Sequence, residues 1–65
     1  MVENRIKERR KELGLTQEQL SEKSGISQSA ISEIENGVHL PNVEEALDLA
    51  EALYTSVEKI FKKIF

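Results

Sequence analysis

Cysteine is absent from the 65 residues, which removes disulfide staples and thiolate zinc sites, the devices that often compensate for a small core. Hydrophobic packing has to hold the chain, alone or with a partner chain. Histidine occurs once, as His39, in a loop with no second ligand at metal-binding spacing, so no metal site is expected. Neither a glycine-rich phosphate loop nor room for a pocket of about 300 Å³ with convergent polar groups is present, which argues against an enzyme, a cofactor or a small-molecule substrate. No run of about twenty apolar residues occurs, so no membrane-spanning segment is expected. The opening stretch MVENRIKERRKEL lacks the apolar centre of a secretion signal, and a cytoplasmic location is the expectation. The length suits one domain, residues 1–65, around a single core.

Basic charge is also in short supply. Nine lysines and arginines face twelve aspartates and glutamates, a net charge of −3. Residues 1–13 hold five basic and three acidic side chains, residues 14–37 one and four, and residues 38–65 three and five. A protein that grips nucleic acid without regard to sequence carries the opposite balance.

What the chain does have is a stretch of two closely coupled helical patterns, TQEQLSEKSGISQSAISEIENG, residues 16–37. Thr16 with Gln19 is a capping-box pair, which starts a helix near Gln17. That helix runs to Ser24, where Gly25 supplies the left-handed residue that a sharp bend demands. Ser27 caps a second helix, and Asn36 with Gly37 closes it. Leu20, Ile26, Ile31 and Ile34 fall on one side of this pair and predict a shared core, with Ser21 small enough for a close crossing. Ser27, Gln28, Ser29, Ser32 and Glu33 fall on the other side. A short helix that presents hydroxyls and amides above a packed partner helix has the geometry of a helix-turn-helix entering a DNA major groove.

The flanking segments complete an all-α pattern of five short helices. Residues 3–13 predict a charge-laced helix with Val2, Ile6, Leu13 and the stem of Arg9 or Arg10 on its apolar face, ended by Gly14. Asn42 with Glu45 repeats the capping box and starts a helix from Val43 to Leu53. Val43, Ala46, Leu47, Ala50 and Leu53 are expected to face the core, with Glu44, Glu45, Asp48 and Glu51 outside. After a break at Tyr54–Ser56, a last helix is expected from Val57 to about Ile64. Its stripe of Val57, Ile60, Phe61, Ile64 and Phe65 is wider than so small a core absorbs and predicts a homodimer interface. In the alternative arrangement Ile60 and Phe61 close the monomer core, and Ile64 and Phe65 lie in solvent.

The motifs Leu15-Thr16-Gln17, Leu20, Gly25, Ile26-Ser27, Ile31-Ser32, Ile34-Glu35-Asn36-Gly37 and Pro41, followed by ALDLAEAL, resemble the phage-repressor and Cro-like helix-turn-helix family, also called the xenobiotic-response-element type. The resemblance spans roughly Ile6 to Phe61. It implies a lambda-repressor-like DNA-binding domain that acts on transcription, and it implies that Arg10 pairs with Glu35 while also offering its guanidinium to a phosphate. Tyr54 stands where the family usually has glycine. Val38 and His39 stand where members carry lysine or arginine.

On double-stranded DNA, Gln28 is the expected base reader, because its amide pairs in a bidentate way with adenine, and Glu33 accepts from cytosine. Ser27, Ser29 and Ser32 add short, unselective contacts. Gln17 and Asn36 are the expected phosphate contacts, roles compatible with simple capping. With so few cations, binding is expected to be weak unless two copies combine their half-sites. Two other classes of function compete with a dimeric regulator: an adaptor or antitoxin whose acidic surface meets a basic protein, and a scaffold with no nucleic-acid role.

Overall fold

The computed structural model describes residues 4–61. Five helices follow one another: α1 (Ile6–Glu12), α2 (Gln17–Ser24), α3 (Gln28–Glu35), α4 (Val43–Ala52) and α5 (Val57–Ile60). Among the described residues there is no strand. A single antiparallel bridge joins Asn4 to Phe61. α2 packs on α3 and α4, and α4 packs on α5.

Local chemistry sets the boundaries. Thr16 Oγ1 accepts from the Gln19 N–H at 3.0 Å while Gln19 Oε1 accepts from the Thr16 N–H at 2.9 Å, and Asn42 with Glu45 makes the same reciprocal pair at 2.7 and 3.0 Å. Three helices end in one pattern. At Gly14, Gly37 and Tyr54 the chain turns left-handed, and the next N–H reaches five residues back: Leu15 to Arg10 O, Val38 to Glu33 O and Thr55 to Ala50 O, at 2.9–3.0 Å. These are Schellman endings, which satisfy the orphan carbonyls of the last turn. Asn36 keeps a right-handed backbone, and Gly37 alone makes the reversal after α3.

Tyr54 holds its ending at φ 53°, a conformation that costs a side-chain-bearing residue about 1–2 kcal/mol. Arg9 offsets this. Its guanidinium donates to Leu53 O at 2.9 Å and Tyr54 O at 3.3 Å, binding the carbonyl end of α4 to α1. Lys23 Nζ lies 5.4 Å from the centre of the Tyr54 ring, a weak cation–π contact.

The core consists of Ile6, Leu20, Ile26, Ile31, Ile34, Ala46, Leu49, Ala50, Ala52, Leu53, Ile60 and Phe61. Each large member contributes about 1.5–3 kcal/mol on leaving water. The expected phase of α4 needs correction: Leu49 is fully buried, whereas Val43 and Leu47 lie in solvent. At about 100° per residue, Ala46, Leu49, Ala50 and Leu53 centre one face of α4, and positions 43 and 47 sit at its flank. The two phases share Ala46, Ala50 and Leu53, so a pattern read from spacing alone fits both.

The chain's end also differs from expectation. α5 lasts one turn, and Phe61 is extended. Arg5 N–H donates to Ile60 O at 2.8 Å, so the segment after α5 is tied to the start of α1. Ile60 and Phe61 are buried in the core and are therefore not an open dimer face, which corrects that part of the expected interface. Val57 is half-buried against the same core. Ile64 and Phe65, together with Val2, lie outside the described residues. No helix among the described residues is long and apolar enough to cross a membrane.

Candidate nucleic-acid interface

The site is built where the start of α2 meets α3. Ser27 Oγ accepts from the Ala30 N–H at 3.2 Å, which starts α3 and leaves its first turn on the surface. Gly25, at φ 76°, closes α2 with its N–H on Ser21 O at 2.9 Å. Two hydroxyls stitch the turn: Ser21 donates to Ile26 O, and Ser24 donates to Leu20 O at 2.8 Å while accepting from the Ile26 N–H at 3.3 Å. Ile26 is thereby seated in the core, and the residues after it are aimed outward.

Ser27, Gln28, Ser29 and Glu33 are exposed, and Ser32 is half-buried. Gln28, Ser29, Ser32 and Glu33 line one shallow open depression together with Gln17. Four of the five expected base contacts and one expected phosphate contact therefore share a surface. Asn36 is exposed at the far end of α3.

Behind that surface lies a buried ion pair. Arg10 Nε donates to Glu35 Oε2 at 2.8 Å, and Arg10 Nη2 to Glu35 Oε1 at 3.3 Å. Arg10 Nη1 donates to Leu15 O at 2.9 Å. Gln17 Nε2 adds a bond to Glu35 Oε1 at 3.1 Å. The two charged side chains are 10% and 2% exposed, so the expected pair is formed. Arg10 Nε, Nη1 and Nη2 each donate within the protein, which leaves little of the guanidinium to meet a phosphate. Gln17 donates from Nε2 to Glu35 and also lines the open depression, half-buried at the first position of α2.

Residues 6–60 match the model of a family described as Helix-turn-helix. The chain belongs to the Cro-like helix-turn-helix family. It is 44% identical over 57 residues to an uncharacterized HTH-type transcriptional regulator of Methanothermobacter thermautotrophicus, with 86% of this chain and 83% of that protein aligned. Among solved structures it is similar to the P22 c2 repressor in complex with synthetic operator 9T, at 41% identity and a TM-score of 0.79, over 83% of this chain and 82% of that one. It is similar too to the restriction-modification controller protein C.AhdI of Aeromonas hydrophila, at 33% identity and a TM-score of 0.81, over 85% and 83%.

This helix-turn-helix protein also uses residues that the sequence pattern did not single out. Asn4 Nδ2 donates to Ile34 O at 2.8 Å, and Asn4 Oδ1 accepts from the Ile6 N–H at 3.2 Å. One side chain thus starts α1 and satisfies a carbonyl near the end of α3. An asparagine just before a helix was the available signal; its distant partner had none. His39 is half-buried, with Nε2 3.4 Å from Glu45 Oε1. Among the described residues no group of carboxylates and histidine has metal-binding geometry.

Proposed function

We propose that this protein is a sequence-specific DNA-binding transcriptional regulator that binds as a homodimer, with α3 in the major groove. The observation that carries the reading is the shared open surface of Gln28, Ser29, Ser32, Glu33 and Gln17, held on a rigid base by the Arg10–Glu35 pair. Membership of the family and the regulator names of its relatives support it. Gln28 reads adenine through its amide, Glu33 accepts from cytosine N4, and Ser27, Ser29 and Ser32 supply short contacts to base edges. Gln17, at the start of α2, and Asn36, beyond α3, hold phosphates on either side.

The lack of cations around this surface gives the reading a definite form. Each phosphate neutralised contributes about one unit to the slope of affinity against salt. Few are neutralised here, so the slope is shallow and two half-sites are required for useful affinity. Binding to a genomic fragment library at about 50 and 200 mM salt tests this. Specific enrichment at both salts supports the regulator. No enrichment at either salt, together with a basic protein retained from extract, transfers the function to the adaptor class, which the four acidic side chains of residues 14–37 favour.

A further inference from the structure

The chain has three asparagines, Asn4, Asn36 and Asn42, and two of them are held. Asn4 Nδ2 donates to Ile34 O at 2.8 Å, and Asn42 Oδ1 accepts from the Glu45 N–H at 2.7 Å. Asn36 is exposed, and among the described residues no hydrogen bond holds its side-chain amide. It is also the asparagine that precedes a glycine, Gly37. Asparagine is a thermolabile residue type, and a following glycine has no side chain to hinder attack on its amide. We propose that Asn36-Gly37 is a site of spontaneous deamidation, that the turn ending α3 sets its rate, and that conversion there weakens the hold on DNA.

The chemistry needs only water. The Gly37 nitrogen loses its proton and attacks Asn36 Cγ, and the side-chain nitrogen takes up a proton and leaves as ammonia. The new N–C bond closes a cyclic imide. Water then opens the ring at either carbonyl, giving an aspartate at position 36 or its isomer, whose backbone runs through the former side chain.

Folding opposes the first step in two ways. At ψ 2° for Asn36 the Gly37 nitrogen eclipses Asn36's own nitrogen, whereas ring closure needs it turned toward Cβ. The Gly37 N–H also donates to Ile34 O at 3.1 Å, and Val38 and His39 donate to Glu33 O at 2.9 and 3.2 Å. Attack therefore waits until the Schellman ending of α3 opens. Ile34 O is the acceptor for Asn4 as well, so the clamp between α1 and α3 is part of the brake.

Conversion removes an amide donor and adds a negative charge at the carbonyl end of α3, where the helix dipole is already negative. Asn36 is the proposed phosphate contact beyond α3, so this last step rests on the DNA-binding reading. A phosphate held there also keeps the turn closed, and protein on DNA converts more slowly than free protein.

The full chain would be incubated at neutral and mildly alkaline pH, folded and in urea, with positions 4, 36 and 42 followed by peptide mass spectrometry. In urea, position 36 is expected to convert well ahead of the other two, and faster at the higher pH. In the folded chain it is expected to convert at least about tenfold more slowly than in urea. Asn4→Ala is expected to speed conversion of the folded chain about three- to tenfold without changing the rate in urea. Hydrogen exchange at Gly37 and Leu49 in the same samples separates opening of the turn from opening of the whole fold. Asn36→Gln is expected to stay intact throughout. Converted protein, separated by anion exchange, is expected to bind an enriched duplex about tenfold more weakly than fresh protein.

Conversion in urea no faster at position 36 than at 4 and 42 overturns the site. A folded rate equal to the urea rate overturns the brake, and an unchanged folded rate in Asn4→Ala removes the clamp from it. Equal binding by converted and fresh protein breaks the link to DNA. If wild type selects no DNA sequence yet converts faster in urea than folded, the DNA reading fails and the modification site stands.

Discussion

Glu35, the last residue of α3, receives Arg10 from α1 through bonds of 2.8 and 3.3 Å and Gln17 from α2 through one of 3.1 Å. One carboxylate thereby fixes three helices in register, directly behind the surface proposed to read DNA. The pair is buried, and removing one partner strands the other charge, which costs about 3–5 kcal/mol. Arg10→Met or Glu35→Gln alone is expected to lower stability by about that amount, whereas Arg10→Met with Glu35→Leu is expected to restore most of it. Urea denaturation of the singles and the double measures the difference. A loss below about 1 kcal/mol in both singles would show that the pair behaves like a surface ion pair.

Gln28 is exposed at the first position of α3. Gln28→Ala is expected to leave the thermal transition unchanged and to reduce discrimination at one base position by about 1–3 kcal/mol. Competition binding with single-base variants of the enriched site reads this directly. Unchanged discrimination at every position removes Gln28 from the readers.

Gln17 bonds Glu35 and is proposed to hold a phosphate, and its substitution separates the two. Gln17→Ala deletes one bond to Glu35, worth about 0.5–1.5 kcal/mol of stability. It is expected to weaken binding to all sequences alike while leaving the salt slope unchanged, because a neutral amide releases no counterion. Wild-type affinity on every duplex would confine Gln17 to the structural duty.

Gly25 holds φ 76°, and a Cβ built there meets nothing within 4 Å. The cost of Gly25→Ala is then backbone strain alone, about 1–2 kcal/mol, with no clash added. In a domain of this size that lowers Tm by about 4–8 °C per kcal/mol. A larger drop, or a change in the far-ultraviolet spectrum of the folded state, would mean that the turn itself had rearranged.

Short-range chemistry made most of the fold readable in advance. Thr16 with Gln19, Asn42 with Glu45, Gly25 and Ser27 each act on neighbours within a few residues, so their patterns announce the boundaries of α2, α3 and α4. The phase of α4 was not readable, because Leu47 and Leu49 both fit a helical repeat and only the position of α2 decides between them. The clamp from Asn4 to Ile34 O spans thirty residues of chain and leaves no local trace. The length of the last helix was overestimated because VEKIFKKIF has helical spacing, yet Phe61 instead runs extended beside Asn4. Within the site, the outward residues of α3 followed from its cap and period. For Arg10 a sequence does not reveal how deeply the side chain is buried against Glu35 and Leu15.

Contact between the outer face of α3 and the bases is read by a backbone amide NMR titration of the full chain with an enriched duplex. The largest shifts are expected on Ser27 to Glu33 and on Gln17, with the amides of α5 little changed. Shifts centred on α4 or α5, with residues 27–33 unmoved, would contradict it.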